Sequence, residues 1–203
     1  MNYLSFRKAL EQFPVFSSQD IRKQFSDFDN RRLVEWQEKG YIIKLRRGYY
    51  SFKEVEKGEA FRYFSANKIY APSYISMESA LSYYNLMPEG VFTTVSLTTR
   101  NTSAFSTPVG SFSYRNVKAQ LFFGYRLLNI HGHTIKMAEP EKSLLDYLYL
   151  NKIDTPDMME GIRLNESQLH DLLDFTKLSQ YAGVFHSKIL QRRIQLLKKM
   201  IHA

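Results

Sequence analysis

The chain contains no cysteine. Disulfides, thiolate metal ligands and a cysteine nucleophile are thereby excluded. Proline and glycine are sparse, 6 and 9 of 203 residues, which rules out a collagen-like or low-complexity chain. No apolar run approaches the roughly 20 residues that a membrane helix needs. The opening segment MNYLSFRKALEQF is charged and amphipathic and lacks the apolar core of a secretory signal. We therefore expect a cytoplasmic protein with no membrane partner. There is no glycine-rich phosphate loop and no nucleophile motif, so we expect no enzyme and no cofactor.

What the chain does contain is apolar residues (44%), aromatics (15%) and a net charge of +8. This is a folded composition with a bias toward an anionic partner. The charge is unevenly placed: residues 1–58 carry a net +4, residues 59–181 a net −1, and residues 182–203 a net +5 with no acid at all. Two basic ends flank a balanced middle.

The basic N-terminal part has a readable order. Leu4, Phe6, Leu10 and Phe13 recur near helical spacing and stop at Pro14. SSQDIRKQF follows; Ser17 with Asp20 has the form of a capping box, and Ile21 and Phe25 share one face. A third helix is predicted in SDFDNRRLVEWQEKG, capped near Asp27 or Asp29 and stopped by Gly40. Leu33 and Trp36, with Val34 or Gln37 beside them, form its buried side. The short gap before it is helix-turn-helix spacing. YIIKL and GYYSF then read as two strands joined by RRG. Three helices followed by a β-hairpin predict a winged helix-turn-helix over residues 1–58, with Arg46 and Arg47 at the wing tip.

A polar joint, KEVEKGEAF, leads into a larger mixed α/β domain over residues 59–203 that ends in helices, so the predicted fold class is α+β. YISMESALSYYNLM reads as a short lead-in and a helix, with Ser76 and Ser79 available for capping. VFTTVSLTT, GSFSYRNVK and LFFGYRLLNIHGHTIKMA read as strands with tight turns. Pro140 opens a helix with Leu144, Leu145, Leu148 and Tyr149 on its apolar side. NESQLHDLLDFTKLSQYAG reads as one further helix, and Leu190, Ile194, Leu197 and Ile201 form one stripe on the last.

The segments WQEKGYIIKLRRGYYSF (36–52), YISMESALSYYNLMPE (74–89) and MAEPEKSLLDYLYL (137–150), in this order, resemble the AbiEi family of antitoxins and transcriptional regulators from bacterial AbiE toxin–antitoxin operons. The resemblance implies an N-terminal winged helix that represses its own operon. It also implies a C-terminal domain that neutralises a nucleotidyltransferase-like toxin. Two alternatives stay open. One is a stand-alone winged-helix regulator with a ligand- or dimer-forming C-terminal domain; the other is a winged helix that binds protein.

For nucleic acid, the candidates are Asn30, Arg31 and Arg32 at the start of the third helix, where recognition helices meet base edges. Lys44, Arg46 and Arg47 on the hairpin are candidates for phosphate or the minor groove. The blander reading is solvated surface. Trp36 and one of Tyr49 and Tyr50 read as core. Lys188, Arg192, Arg193 and Lys199 of the last helix are candidates for a partner surface, expected to face outward. The two histidines of HGH (131–133) fit a hairpin turn centred on Gly132 better than a metal site. EPEK (139–142) fits helix-start acids better than a nuclease cluster.

Overall fold

The computed structural model describes residues 2–87 and 93–201. The ends of three expected segments, at 88–89, 91–92 and 202–203, lie outside the described residues. The fold is mixed α+β, with ten α-helices and two sheets among the described residues.

The N-terminal part builds a small core of its own. It comprises α1 (Tyr3–Leu10), β1 (Phe16–Ser17), α2 (Ser18–Gln24), α3 (Arg31–Glu38), β2 (Ile42–Arg46) and β3 (Tyr49–Phe52). The strands form an antiparallel sheet in the order β1-β3-β2. Asn2 caps α1 by accepting from the Ser5 amide. The Ser17–Asp20 capping box is present in both directions, at 3.1 and 2.8 Å. Phe6, Phe16, Phe28, Phe52 and Trp36 meet as a ring cluster, with Phe6 and Trp36 centroids 4.5 Å apart. Trp36 is thus a packing anchor, and Tyr50 is the more buried of its tyrosine pair. Leu4 and Val34, by contrast, are exposed.

The second core is larger. It holds α4 (Glu59–Ile69), β4 (Ser73–Ile75), α5 (Met77–Tyr83), β5 (Thr93–Thr98), β6 (Ser103–Thr107), β7 (Gly110–Asn116), β8 (Tyr125–Ile130), β9 (His133–Ala138), α6 (Pro140–Leu150), α7 (Pro156–Glu160), α8 (Glu166–Leu172), α9 (Phe175–Val184) and α10 (Lys188–Ile201). The strands form one six-stranded sheet ordered β6-β7-β5-β4-β9-β8. Pairings β4–β9 and β5–β7 are parallel and the rest antiparallel. The β8–β9 turn is His131-Gly132, both with positive φ (47° and 78°), as a tight two-residue hairpin turn requires.

At the centre lies a buried polar network. Lys142 and Asp146, one turn apart on α6, form an ion pair with both side chains fully buried. Asp146 Oδ2 also accepts from the Ser76 hydroxyl at 2.8 Å and the Tyr74 hydroxyl at 3.0 Å. Lys142 Nζ donates to the Tyr74 hydroxyl at 2.9 Å and lies about 5.1 Å from the ring centroids of Phe123 and Phe185. Burial pushes the Lys142 ammonium down and the Asp146 carboxyl up, and each partner opposes the other's shift. Gly124 permits the close fit: a Cβ there would sit 3.0 Å from the Lys142 and Tyr181 side chains.

The network accounts for one departure from expectation. Ser76 stands at the N-cap of α5, but its hydroxyl makes no cap bond because Asp146 takes it. Ser79 instead accepts from the Val95 amide at 2.8 Å, tying α5 to β5. In EPEK, Glu139 and Glu141 stand at the N-cap and in the first turn of α6 as expected, and Glu141 and Lys142 are in addition buried. Glu141 accepts from the Asp174 amide at 3.0 Å. That bond, with the Asp174 cap on Thr176 and Lys177, splits the single helix expected over 165–183 into α8 and α9.

Removing one member of a buried pair strands a charge, which costs about 3–5 kcal/mol. Lys142→Met is expected to destabilise by that amount in urea unfolding. The double variant K142M/D146L should lose less than the two single variants summed. A loss under about 1 kcal/mol for Lys142→Met would show that the network is incidental.

Candidate nucleic-acid interface

The face of interest lies between α3 and the outer half of the β2–β3 hairpin. The hairpin tip is held in place by its own backbone: the Ser18 amide at the start of α2 donates to the Gly48 carbonyl at 2.8 Å. Gly48 has φ +82°, and a side chain there would be strained. The two helices and the hairpin are thereby held in one arrangement.

Between α3 and the hairpin runs a groove of about 570 Å³. Asn30, Val34 and Gln37 line it from α3, Lys44 and Arg47 from the hairpin, and Arg22 from α2. No carboxylate lines it. Lys44 and Arg47 are exposed, and neither makes an ion pair among the described residues. Val34, 55% exposed, gives the wall an apolar spot at the middle. Three cations facing one concave apolar-floored surface produce a focused positive potential. Arg22 carries no signal in the sequence beyond being basic; only the crossing of α2 over the hairpin brings it in.

Three of the six candidate residues therefore converge: Asn30, Lys44 and Arg47. Arg31 and Arg32 do not line this groove. Arg31 is held by Asp29 at 3.0 Å, and Asp29 also accepts from the Arg31 amide at 2.9 Å. Arg32 pairs with Glu35 at 3.2 Å, and Glu35 pairs again with Lys39 at 2.6 Å. The Arg31 hydrogen bond holds Asp29 below the usual carboxylate range, and the Lys39 hydrogen bond does the same for Glu35. These cations are exposed but locally neutralised.

Arg46 departs from its expected place at the wing tip. Strand alternation sets it on the same face as Lys44. A bulge between Lys44 and Arg46 interrupts that alternation and turns Arg46 to the face of Leu45, against the larger core. There its guanidinium donates to the Ile69 carbonyl at 2.6 Å and lies 4.8 Å from the Tyr70 ring centroid and 4.3 Å from that of Phe105. Arg100 covers Tyr70 as well, at 4.5 Å, and donates to the Ala71 carbonyl. Arg46 is a clamp between the two cores. Val15 and Leu45, from the N-terminal part, are buried within the larger core at the same junction.

The last helix also requires a correction. Its stripe of Leu190, Ile194, Leu197 and Ile201 is buried as expected. Lys188, Arg192 and Lys199 are exposed, but Arg193 is 6% exposed. Its guanidinium donates to Asp154 at 2.8 and 2.9 Å and to the Leu148 carbonyl at 2.7 Å. It closes the C-terminal end of α6, where orphan carbonyls and the helix dipole favour a cation.

No family model and no curated protein matches the chain. Among solved structures it is similar to the crystal structure of the RV2827C protein from Mycobacterium tuberculosis, with a TM-score of 0.51 and 13% identity over 97% of this chain and 80% of that one. At that identity the likeness is one of fold.

Arg46→Ala should loosen the junction without disturbing either core. The expected result is faster tryptic cleavage at Lys53 or Lys57, in the connection between them, with an unchanged far-UV spectrum. On α10, Arg192→Glu should leave the melting temperature unchanged, because surface charges contribute little. Arg193→Glu should lower stability by at least about 2 kcal/mol, since it buries an unpaired carboxylate beside two carbonyls.

Proposed function

We propose that this chain is a DNA-binding autorepressor and antitoxin of a bacterial toxin–antitoxin operon. In this reading the N-terminal part is a winged helix-turn-helix, α3 is its recognition helix and the β2–β3 hairpin its wing. The observation that carries the DNA reading is the acid-free groove between α3 and the hairpin, with Arg22, Lys44 and Arg47 around it. Asn30 stands at the N-terminal end of α3, where recognition helices approach base edges, and an asparagine suits adenine. Arg31 and Arg32 act as phosphate contacts at the rim, after exchanging their acid partners for DNA. Arg46 takes no part in DNA contact; it fixes how the groove is carried on the larger core.

The antitoxin half of the reading rests on the sequence resemblance and on one surface. Lys188 and Arg192 of α10 are exposed beside Ile189, itself 61% exposed. Lys199 extends the basic face. An exposed apolar residue among cations suits an acidic protein partner, here the nucleotidyltransferase-like toxin encoded by the same operon.

Fluorescence anisotropy with duplex DNA from the chain's own upstream region tests the first half. Replacing both Lys44 and Arg47 by Ala is expected to weaken binding to every sequence and to reduce the salt slope by about two units, if each neutralises one phosphate. Unchanged affinity and slope in a folded double variant would refute the groove assignment. No DNA binding by the unaltered chain at low salt would favour a protein-interaction module instead. K188E/R192E/K199E should still bind DNA but fail to protect cells that co-express the toxin.

A further inference from the structure

A second cleft lies at the junction of the two cores, away from the α3 groove. Its volume is about 620 Å³, within the roughly 300–1,000 Å³ typical of small-molecule sites. Gln12 and Pro14, from the α1–β1 connection, form one wall. Phe64 and Lys68 of α4 and Leu127, His133 and Lys136 of the β8–β9 hairpin form the others.

The chemistry of the cleft is one-sided. No carboxylate lines it, and neither the Lys68 nor the Lys136 ammonium makes an ion pair among the described residues. The Lys68 ammonium lies over the Phe64 ring, 5.4 Å from its centroid. The Lys136 backbone is fixed, because its amide donates to the Asn67 side chain at 2.6 Å. The His133 ring packs on Phe64 at 5.1 Å. Burial and the neighbouring His131 keep its imidazole below its ordinary pKa. Leu127, 64% exposed on the edge strand β8, offers an apolar surface that nothing among the described residues covers.

From these features we infer that the junction cleft is a binding site for a small organic anion, with a carboxylate or phosphate head between Lys68 and Lys136 and an apolar body against Leu127, Phe64 and Pro14. Two unpaired cations in a concave site with low-dielectric walls attract negative charge far more strongly than the same cations on open surface. The apolar wall adds the burial that a bare inorganic ion cannot use. The location links the site to the clamp. Residues 67–71 give Asn67, Lys68 and Ala71 to the cleft and give the Ile69 carbonyl and Tyr70 ring to Arg46. A bound anion therefore bridges the α1–β1 connection to the segment on which Arg46 closes, and favours the docked arrangement of the two cores. The site is independent of the DNA reading and stands whether or not the α3 groove binds DNA.

Amide chemical-shift titration of the full chain tests the inference, with benzoate as the carboxylate probe, adenosine monophosphate as the phosphate probe and benzamide as an uncharged control. Saturable shifts are expected at Gln12, at residues 64–68, at Leu127 and at residues 132–136 for at least one anion, with no comparable response to benzamide. K68Q/K136Q should weaken that binding at least tenfold. Gln12→Glu keeps both lysines but sets a carboxylate opposite them, and should weaken it as well, so the result does not hang on one variant folding. Which of the two probes binds identifies the head group. An equal response to benzamide, undiminished binding by both variants, or no saturable shift in this cleft with either anion would overturn the site.

Discussion

The larger core is organised around one buried ion pair, Lys142 with Asp146. Two opposite charges removed from water are tolerable only when every remaining donor and acceptor is satisfied. Asp146 meets that demand by drawing in Ser76 and Tyr74 from another part of the chain, and Lys142 by resting among the faces of aromatic rings. The pair thereby fixes where β4 and the start of α5 lie against α6. Since β4 is a central strand between β5 and β9, the same contacts tie the middle of the sheet to α6. A purely apolar contact here would tolerate sliding; a four-membered polar network does not.

The junction between the two cores uses a related principle at the surface. Arg46 is a charged side chain placed where it satisfies a backbone carbonyl and lies over two rings. Combined with Leu45 and Val15, which reach into the larger core, it joins two bodies that each have their own apolar cluster. The position of the α3 groove relative to the six-stranded sheet is therefore set by specific contacts and not only by the length of the 53–58 connection. The junction cleft borders the same segment, residues 67–71, that carries the Ile69 carbonyl and the Tyr70 ring held by Arg46.

Much of this was legible in the sequence where the signal was local. The Ser17–Asp20 box, the Gly40 stop, the Leu190–Ile201 stripe and the Gly132 hairpin depend on neighbours within one or two turns, and they occur as read, whereas the first helix ends at Leu10, short of the Pro14 stop expected for it. Elements with weaker local patterns were missed. Helix α4 is buried on much of its circumference and shows no clean stripe; β6 alternates only small and polar residues with Phe105; α7 has five residues. Of the candidate residues, Asn30, Lys44 and Arg47 line one groove. Arg46 and Arg193 do not, because a bulge in one case and a packed helix end in the other redirect the side chain.

What the sequence determined by itself is the set of helices and strands whose period and caps are written locally, the placement of positive charge at the two ends, and the exclusion of cysteine chemistry. The tertiary structure alone decided which of those charges are free. Arg46 and Arg47 are adjacent and chemically identical, yet one clamps two cores together and the other lines an open groove. Lys142 and Glu141 sit at what reads only as a charged helix start, yet both are buried. The reason is that a side chain's period and propensity are properties of its neighbours in sequence. Its solvation and its partners are properties of whatever distant segment packs against it, and only the folded chain specifies that.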